Sequence, residues 1–207
     1  MSSSWSYLDP VIIPLILGET VLDVGCGMGR WGSLIETNYW EARLTGAPAV
    51  DGCDAYAPNV EHCRSRGAYR RVWEQTLPSA LDGSWDTVLA CELIEHIPDE
   101  HVAETLDALE SAAYKRVIVS TPNSPAFRAG HETPLGFNDH EAHVSYVPRS
   151  VFTDRGYKVY GAGFGQYDSR LALRAKKWRI RKSLDSLPYH LPRIAETIVA
   201  VKYIRAS

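Results

Sequence analysis

Val21-Leu-Asp-Val-Gly-Cys-Gly-Met-Gly-Arg-Trp-Gly32 is the stretch whose reading decides the fold. Apolar Val21, Leu22 and Val24 run straight into Gly25, Gly27 and Gly29, and a helix-compatible segment follows from Trp31 to about Thr37. The order is that of a buried strand, a tight turn and a helix N-terminus. Glycines keep side chains out of a turn that backbone and ligand must share, and the first N–H groups of the helix are left to face that ligand. A dinucleotide fingerprint places its third glycine three residues after the second, whereas here Gly29 follows Gly27 by two. Asp23, inside the strand, would face a pyrophosphate badly and suits a cationic ligand.

Outward from this turn, apolar runs and helical stripes alternate, which predicts an α/β sheet. Strands are expected near 21–24, 50–54, 69–73, 86–91, 115–120, 158–164 and 197–204, and helices near 30–37, 58–66, 99–113 and 149–155. Pro10 to Leu17 reads as an apolar lead-in helix. Asp99 is placed as an N-cap ahead of Val102, Leu106 and Leu109, and Gly156 closes the helix that starts near Pro148. Residues 121–148, with Pro122, Pro125, Gly130, Pro134 and Gly136, read as a long polar loop, the kind that carries function in compact domains.

The 207 residues suit one domain spanning 1–207, with 45% hydrophobic and 23% charged residues. The start of the chain lacks the basic region and long apolar core of a signal peptide, and Cys26, Cys53, Cys63 and Cys91 form no C-x-x-C pair. Both features point to free thiols in the cytoplasm. Net charge is −3, yet seven of the 22 basic residues fall between Arg170 and Lys182, where no acidic residue occurs. The body is therefore acidic, which argues against a nucleic-acid partner. The insertion 165–195 carries this basic run. Its apolar stripes are expected to pack on the domain, with peripheral membrane contact through 170–187, a lid or an oligomer contact as alternatives; monomer and homodimer are both open.

The glycine stretch closely resembles motif I of class I S-adenosylmethionine-dependent methyltransferases, and Trp85-Asp-Thr-Val resembles their motif II. The resemblance covers roughly residues 15–164 and the last strand, and is nearest to ubiquinone-biosynthesis-type O-methyltransferases. It implies a three-layer Rossmann-like fold, a seven-stranded mostly parallel sheet with its last strand antiparallel, and S-adenosylmethionine as methyl donor. It also implies that Asp23, Gly25, Cys26, Gly27 and Gly29 receive the amino-acid end of that cofactor, that Asp54 and Ala55 bind the ribose, that Glu74 or Gln75 lies near adenine, and that Cys91 and Glu92 flank the cofactor. The residues alone support the Asp54 role, since a carboxylate at a strand end accepts hydrogen bonds from a ribose diol.

For the acceptor, Asn138-Asp-His-Glu-Ala-His-Val-Ser-Tyr146 concentrates ionisable groups beside the carboxyl edge of the sheet. His140 or His143 is expected to serve as general base, with Tyr146 lining the pocket and His96 packing or acting on substrate. The expected reaction methylates oxygen or nitrogen of a small metabolite. No D/N-P-P-Y/F follows strand four, which argues against exocyclic base amines. No metal is assigned. The alternative is that Glu92, Glu95 and His96 (E-x-x-E-H) share one helical face and, with a loop histidine such as His143, hold a divalent ion, as in the small-RNA 2′-O-methyltransferases that this motif resembles. A further alternative is a non-catalytic cofactor-binding protein.

Overall fold

The structure is a computed structural model, and it describes residues 5–41, 46–163 and 187–204. Seven strands form one sheet: β1 (Thr20–Val24), β2 (Ala49–Asp54), β3 (Arg71–Glu74), β4 (Trp85–Cys91), β5 (Ala113–Pro122), β8 (Lys158–Ala162) and β9 (Thr197–Tyr203). Their spatial order is β3-β2-β1-β4-β5-β9-β8. β1 to β5 pair in parallel, while β9 runs antiparallel to both β5 and β8. All seven expected strands are present, and the last one is inserted antiparallel between its neighbours.

Period-two alternation gives the sheet two buried faces. Leu22, Val24, Val88, Val117 and Val119 point to one side, where Leu106 and Leu109 of α4 (Asp99–Ala112) and Phe152 of α5 (Arg149–Asp154) cover them. Val21, Leu89, Ile118 and Val199 point to the other, under Trp31 and Ile35 of α2 (Arg30–Glu41) and under Leu8 and Ile12. The lead-in helix is shorter than expected: α1 (Asp9–Ile12) gives way to a 3-10 turn at Ile13–Leu15, where Pro14 removes a backbone donor. α3 (Ala57–Arg66) packs Val60 and Cys63 beside Cys26 and Val72. Asp99 proves to be the first residue of α4 rather than its cap; Pro98 holds that position, and Asp99 and Glu100 add negative charge to the first turn. Gly156, at φ 84°, follows α5 and donates its N–H to the Thr153 carbonyl.

The stretch 121–148 is not a plain loop. It contains the hairpin β6 (His131–Thr133) and β7 (Gly136–Asn138), then a 3-10 turn at Asp139–Glu141. Of the expected insertion, α6 (Leu187–His190) and the 3-10 turn Pro192–Ile194 are described; Tyr189 stacks on Tyr160 of β8 at 4.7 Å. The basic run and its proposed contacts lie outside the described residues. All four cysteines are buried free thiols, and no described helix is long and apolar enough to cross a membrane.

Candidate active site

The carboxyl ends of β1, β2, β4 and β5 open into a cavity of about 740 Å³, within the usual range for a small-molecule site. On one side the chain leaves β1 through a turn pinned to β2: Gly25 and Cys26 both donate to the Cys53 carbonyl, at 2.8 and 3.0 Å. Gly25 and Gly27 take φ of 71° and 54°, and a Cβ on Gly25 would come within 2.7 Å of Leu93 Cδ1. Glycine is therefore required here both for conformation and for space. Gly27 N–H donates to Asp54 Oδ2 at 2.7 Å, while Tyr56 N–H and Asn59 Nδ2 donate to Oδ1 at 2.9 and 3.1 Å. Burial still holds the Asp54 pKa above the ordinary value against these three donors. Gly25, Gly27, Asp54 and Ala55 line the cavity on this donor side.

Several residues expected beside the cofactor lie elsewhere. Asp23 is 1% exposed and sits beneath the turn, outside the cavity lining; its Oδ2 accepts the Tyr69 hydroxyl at 2.7 Å and its Oδ1 has no hydrogen-bond partner. Burial pushes its pKa up to about 7, opposed by the Tyr69 bond and aided by the Asp54 charge. Near the end of a strand covered on both faces, this carboxylate lies beneath the turn rather than in the cavity wall. The Cys26 side chain packs with Val60, Cys63 and Val72, Cys91 is equally buried, and neither lines the cavity; nor does Gly29. Glu74 ends β3 in solvent, and Gln75 uses its backbone N–H to hold the Asp54 carbonyl at 3.0 Å; neither borders the cavity. Tyr146 is half-buried and also outside it.

The opposite wall is assembled from side chains. Glu92 follows β4 at φ 52°, a left-handed conformation costly for a residue with a Cβ. Ser120 holds it there: the Glu92 N–H donates to the Ser120 carbonyl at 2.9 Å, and the Ser120 hydroxyl donates to Glu92 Oε1 at 2.8 Å. Burial pushes the Glu92 pKa up to about 7. A 3-10 turn at Ile94–His96 starts only after this kink, so Glu92 does not share a helical face with Glu95 and His96. Of the alternative metal set Glu92, Glu95, His96 and His143, the ligand atoms of Glu95, His96 and His143 lie within 4.8 Å of one another.

Each member of the trio is oriented from behind. Glu95 Oε2 accepts the Thr121 hydroxyl at 3.0 Å, while Oε1, buried, has no hydrogen-bond partner. The Glu95 carbonyl accepts Val144 and Ser145 N–H groups, which draws residues 142–145 onto the turn. His96 Nδ1 meets the Ala142 carbonyl at 2.9 Å, and the His143 backbone bridges that of Arg128. The two imidazoles meet edge to face at 4.8 Å. Burial lowers both histidines, His143 to about 4 with help from Arg128 and His96, which favours the neutral form of each ring. Burial, with the neighbouring Glu92 charge, raises Glu95. His140 borders the same cavity, its N–H capped by Asn138 Oδ1 at 3.0 Å.

Other lining residues carry no mark in the sequence reading. Arg128, Glu141, Glu196, Thr197, Trp5 and Tyr7 reach the cavity. Glu141 lay within the histidine-rich stretch already singled out; Trp5 and Tyr7 precede the lead-in helix as two aromatics in three residues. Tyr7 is placed by its hydroxyl, 3.0 Å from Thr197 Oγ1. Among the cavity-lining residues, five carboxylates (Asp54, Glu92, Glu95, Glu141, Glu196) face a single Arg or Lys side chain, Arg128.

Residues 11–160 match the family model described as a methyltransferase domain. A probable S-adenosylmethionine-dependent methyltransferase of Mycolicibacterium smegmatis is 29% identical over 202 residues, covering 89% of this chain and 72% of that protein. A ubiquinone biosynthesis O-methyltransferase of Methylococcus capsulatus is 32% identical over 96 residues, which covers 41% of this chain and only 35% of that protein. The fold matches magnesium protoporphyrin IX methyltransferase from Synechocystis PCC 6803, solved with bound S-adenosylhomocysteine, at TM-score 0.56 and 17% identity over 96% of this chain and 80% of that one. With the glycine turn, the Asp54 carboxylate and the sheet order in place, the chain belongs to the methyltransferase-domain family and is a class I S-adenosylmethionine-dependent methyltransferase.

Proposed function

We propose that the enzyme transfers the methyl group to an oxygen of a small-molecule acceptor, in the cytoplasm. The observation that carries this reading is the pair of imidazoles, His96 and His143, 4.8 Å apart in the same cavity as Gly25, Gly27 and Asp54. The residues present fit the cofactor: Asp54 keeps acceptor capacity toward a ribose diol, and the acidic lining suits a sulfonium and an ammonium. When bound, S-adenosylmethionine supplies an electrophilic methyl on sulfur. Asp54 and the Gly25–Gly27 turn hold the donor side in place, and the opposite wall orients the acceptor, so much of the rate comes from alignment. His143, or His96 beside it, takes the hydroxyl proton as a neutral base. His140, at the same rim, is a second candidate for contact with the acceptor.

The ubiquinone-pathway relative supports oxygen over nitrogen as the acceptor atom. Nitrogen is the remaining outcome of the test: incubation with methyl-labelled S-adenosylmethionine and panels of phenols, alcohols and amines. Labelled ethers support the reading, and label confined to amines overturns it. Family membership argues against the non-catalytic alternative.

A second reading is favoured by Glu95 Oε1, which has no hydrogen-bond partner, beside two imidazoles: Glu95, His96 and His143 would take a divalent cation. One carboxylate and two imidazoles suit zinc, manganese or iron. Such an ion would lower the pKa of a coordinated acceptor hydroxyl. Activity lost to a chelator and restored by one of these ions supports it; chelator-insensitive turnover removes it. An RNA acceptor fits less well, because a polyanion would meet five carboxylates and one arginine.

A further inference from the structure

Tyr56 joins the donor and acceptor walls outside the main sheet. Tyr56 follows Asp54 by two residues, and its N–H donates to Asp54 Oδ1 at 2.9 Å. Its half-buried side chain crosses to the small hairpin, where the hydroxyl donates to the Leu135 carbonyl at 3.1 Å. A Cβ on Gly136 would lie 3.2 Å from the same hydroxyl.

Beyond Tyr56, Gly130 packs against the backbone at Asn138. The hairpin strands are three residues each, Phe137 is 52% exposed, and Asn138 is the only fully buried member. A two-stranded hairpin of this size is marginal on its own. Inside it, Thr133 Oγ1 donates to the Gly136 carbonyl at 2.7 Å and accepts the Leu135 N–H, which keeps the turn rigid as a unit. Its far end leads directly into the acceptor wall: Asn138 Oδ1 caps His140, and His143 pairs with Arg128 three residues on.

A ligand that shifts an equilibrium must touch the two states differently. Ala55 and Asn59 line the cavity from the donor side, and Asn138 and His140 line it from the hairpin side. A cofactor seated on Asp54 therefore holds the backbone that carries Tyr56, and through the Tyr56 hydroxyl it holds the hairpin.

We propose that Tyr56 is a positioning residue that couples cofactor binding to ordering of the acceptor wall from His131 to His143. The donor then binds first and the acceptor second, and by reciprocity an acceptor tightens the donor. The inference rests on the reading of Asp54 as the ribose site, and it names a further residue that acts through neither chemistry nor direct ligand contact.

The test is amide hydrogen exchange on the full chain, with and without S-adenosylmethionine, compared between the wild type and Tyr56→Phe. In the wild type the cofactor is expected to slow exchange across 131–143 by about tenfold or more. In Tyr56→Phe, protection of the turn at 25–29 persists and cofactor affinity stays within about threefold, while protection of 131–143 is largely lost. Equal protection of 131–143 in both proteins overturns the proposal, as does its absence in the wild type when calorimetry shows the cofactor bound. Absence of any binding heat overturns the donor-site reading itself, and with it this inference. A merely structural Tyr56 would lower hairpin protection equally with and without cofactor, which also overturns the coupling.

Discussion

The donor wall is built from backbone and the acceptor wall from side chains. On the donor side, Gly25, Gly27 and the end of β2 form a turn fixed by main-chain hydrogen bonds, with Asp54 as its one charged tie. On the acceptor side, Glu95, His96 and His143 come from segments nearly fifty residues apart and meet because carbonyls and hydroxyls orient each of them. The first kind of wall tolerates few substitutions, since almost any side chain fills it. The second can change its chemistry one residue at a time while the donor site stays intact.

His143→Ala tests the division most sharply. Methyl transfer is expected to fall by about 10²–10⁴, while calorimetric affinity for S-adenosylmethionine stays within about threefold. A parallel loss of cofactor affinity would show the walls to be one unit. Gly25→Ala is the converse, with a left-handed φ and a 2.7 Å contact to Leu93. Cofactor affinity should drop by about a hundredfold, close to 3 kcal/mol, and unaltered binding would break the backbone account. Asp54→Ala should weaken binding by about 1–3 kcal/mol through lost ribose contacts; a change confined to the melting temperature would assign it to structure alone.

The smallest effect concerns Asp23. Burial holds its folded pKa near 7, above the 3.8 of an ordinary aspartate, so the folded state keeps a proton that the unfolded chain releases. Its contribution to stability is complete below pH about 4 and is lost as pH rises toward 7. Asp23→Asn removes that loss. Denaturant titrations at pH 5 and pH 7 should show the variant gaining about 2 kcal/mol relative to wild type across the interval. A pH-independent difference would mean that the carboxylate is ionised throughout.

What the sequence discloses follows the same division. Strands with continuous apolar runs, such as Val88 to Cys91 and Val117 to Val119, announce themselves, and so does a glycine turn, because its chemistry is local. The hairpin at 131–138 escaped because three-residue strands carry no period to read. The separation of Glu92 from the face of Glu95 and His96 is not legible in the sequence, because its left-handed φ is supported by Ser120 on another strand. The residue type of Asp23 is legible in the sequence, and its depth beneath the turn is not. Arg128 and Thr197 gain meaning only when β5 and β9 bring distant segments to one mouth.

The position of β9 also bears on how the molecule is made. β1 to β5 can pair in the order in which they emerge, but β8 has no neighbour in the sheet until β9 arrives to separate it from β5. Until then two strands present open edges, the template on which chains aggregate. The closing pairs span most of the second half of the chain, and such non-local contacts form slowly. Synthesis therefore passes through an interval in which β5 and β8 lack the strand that pairs with both and the cavity lacks Thr197.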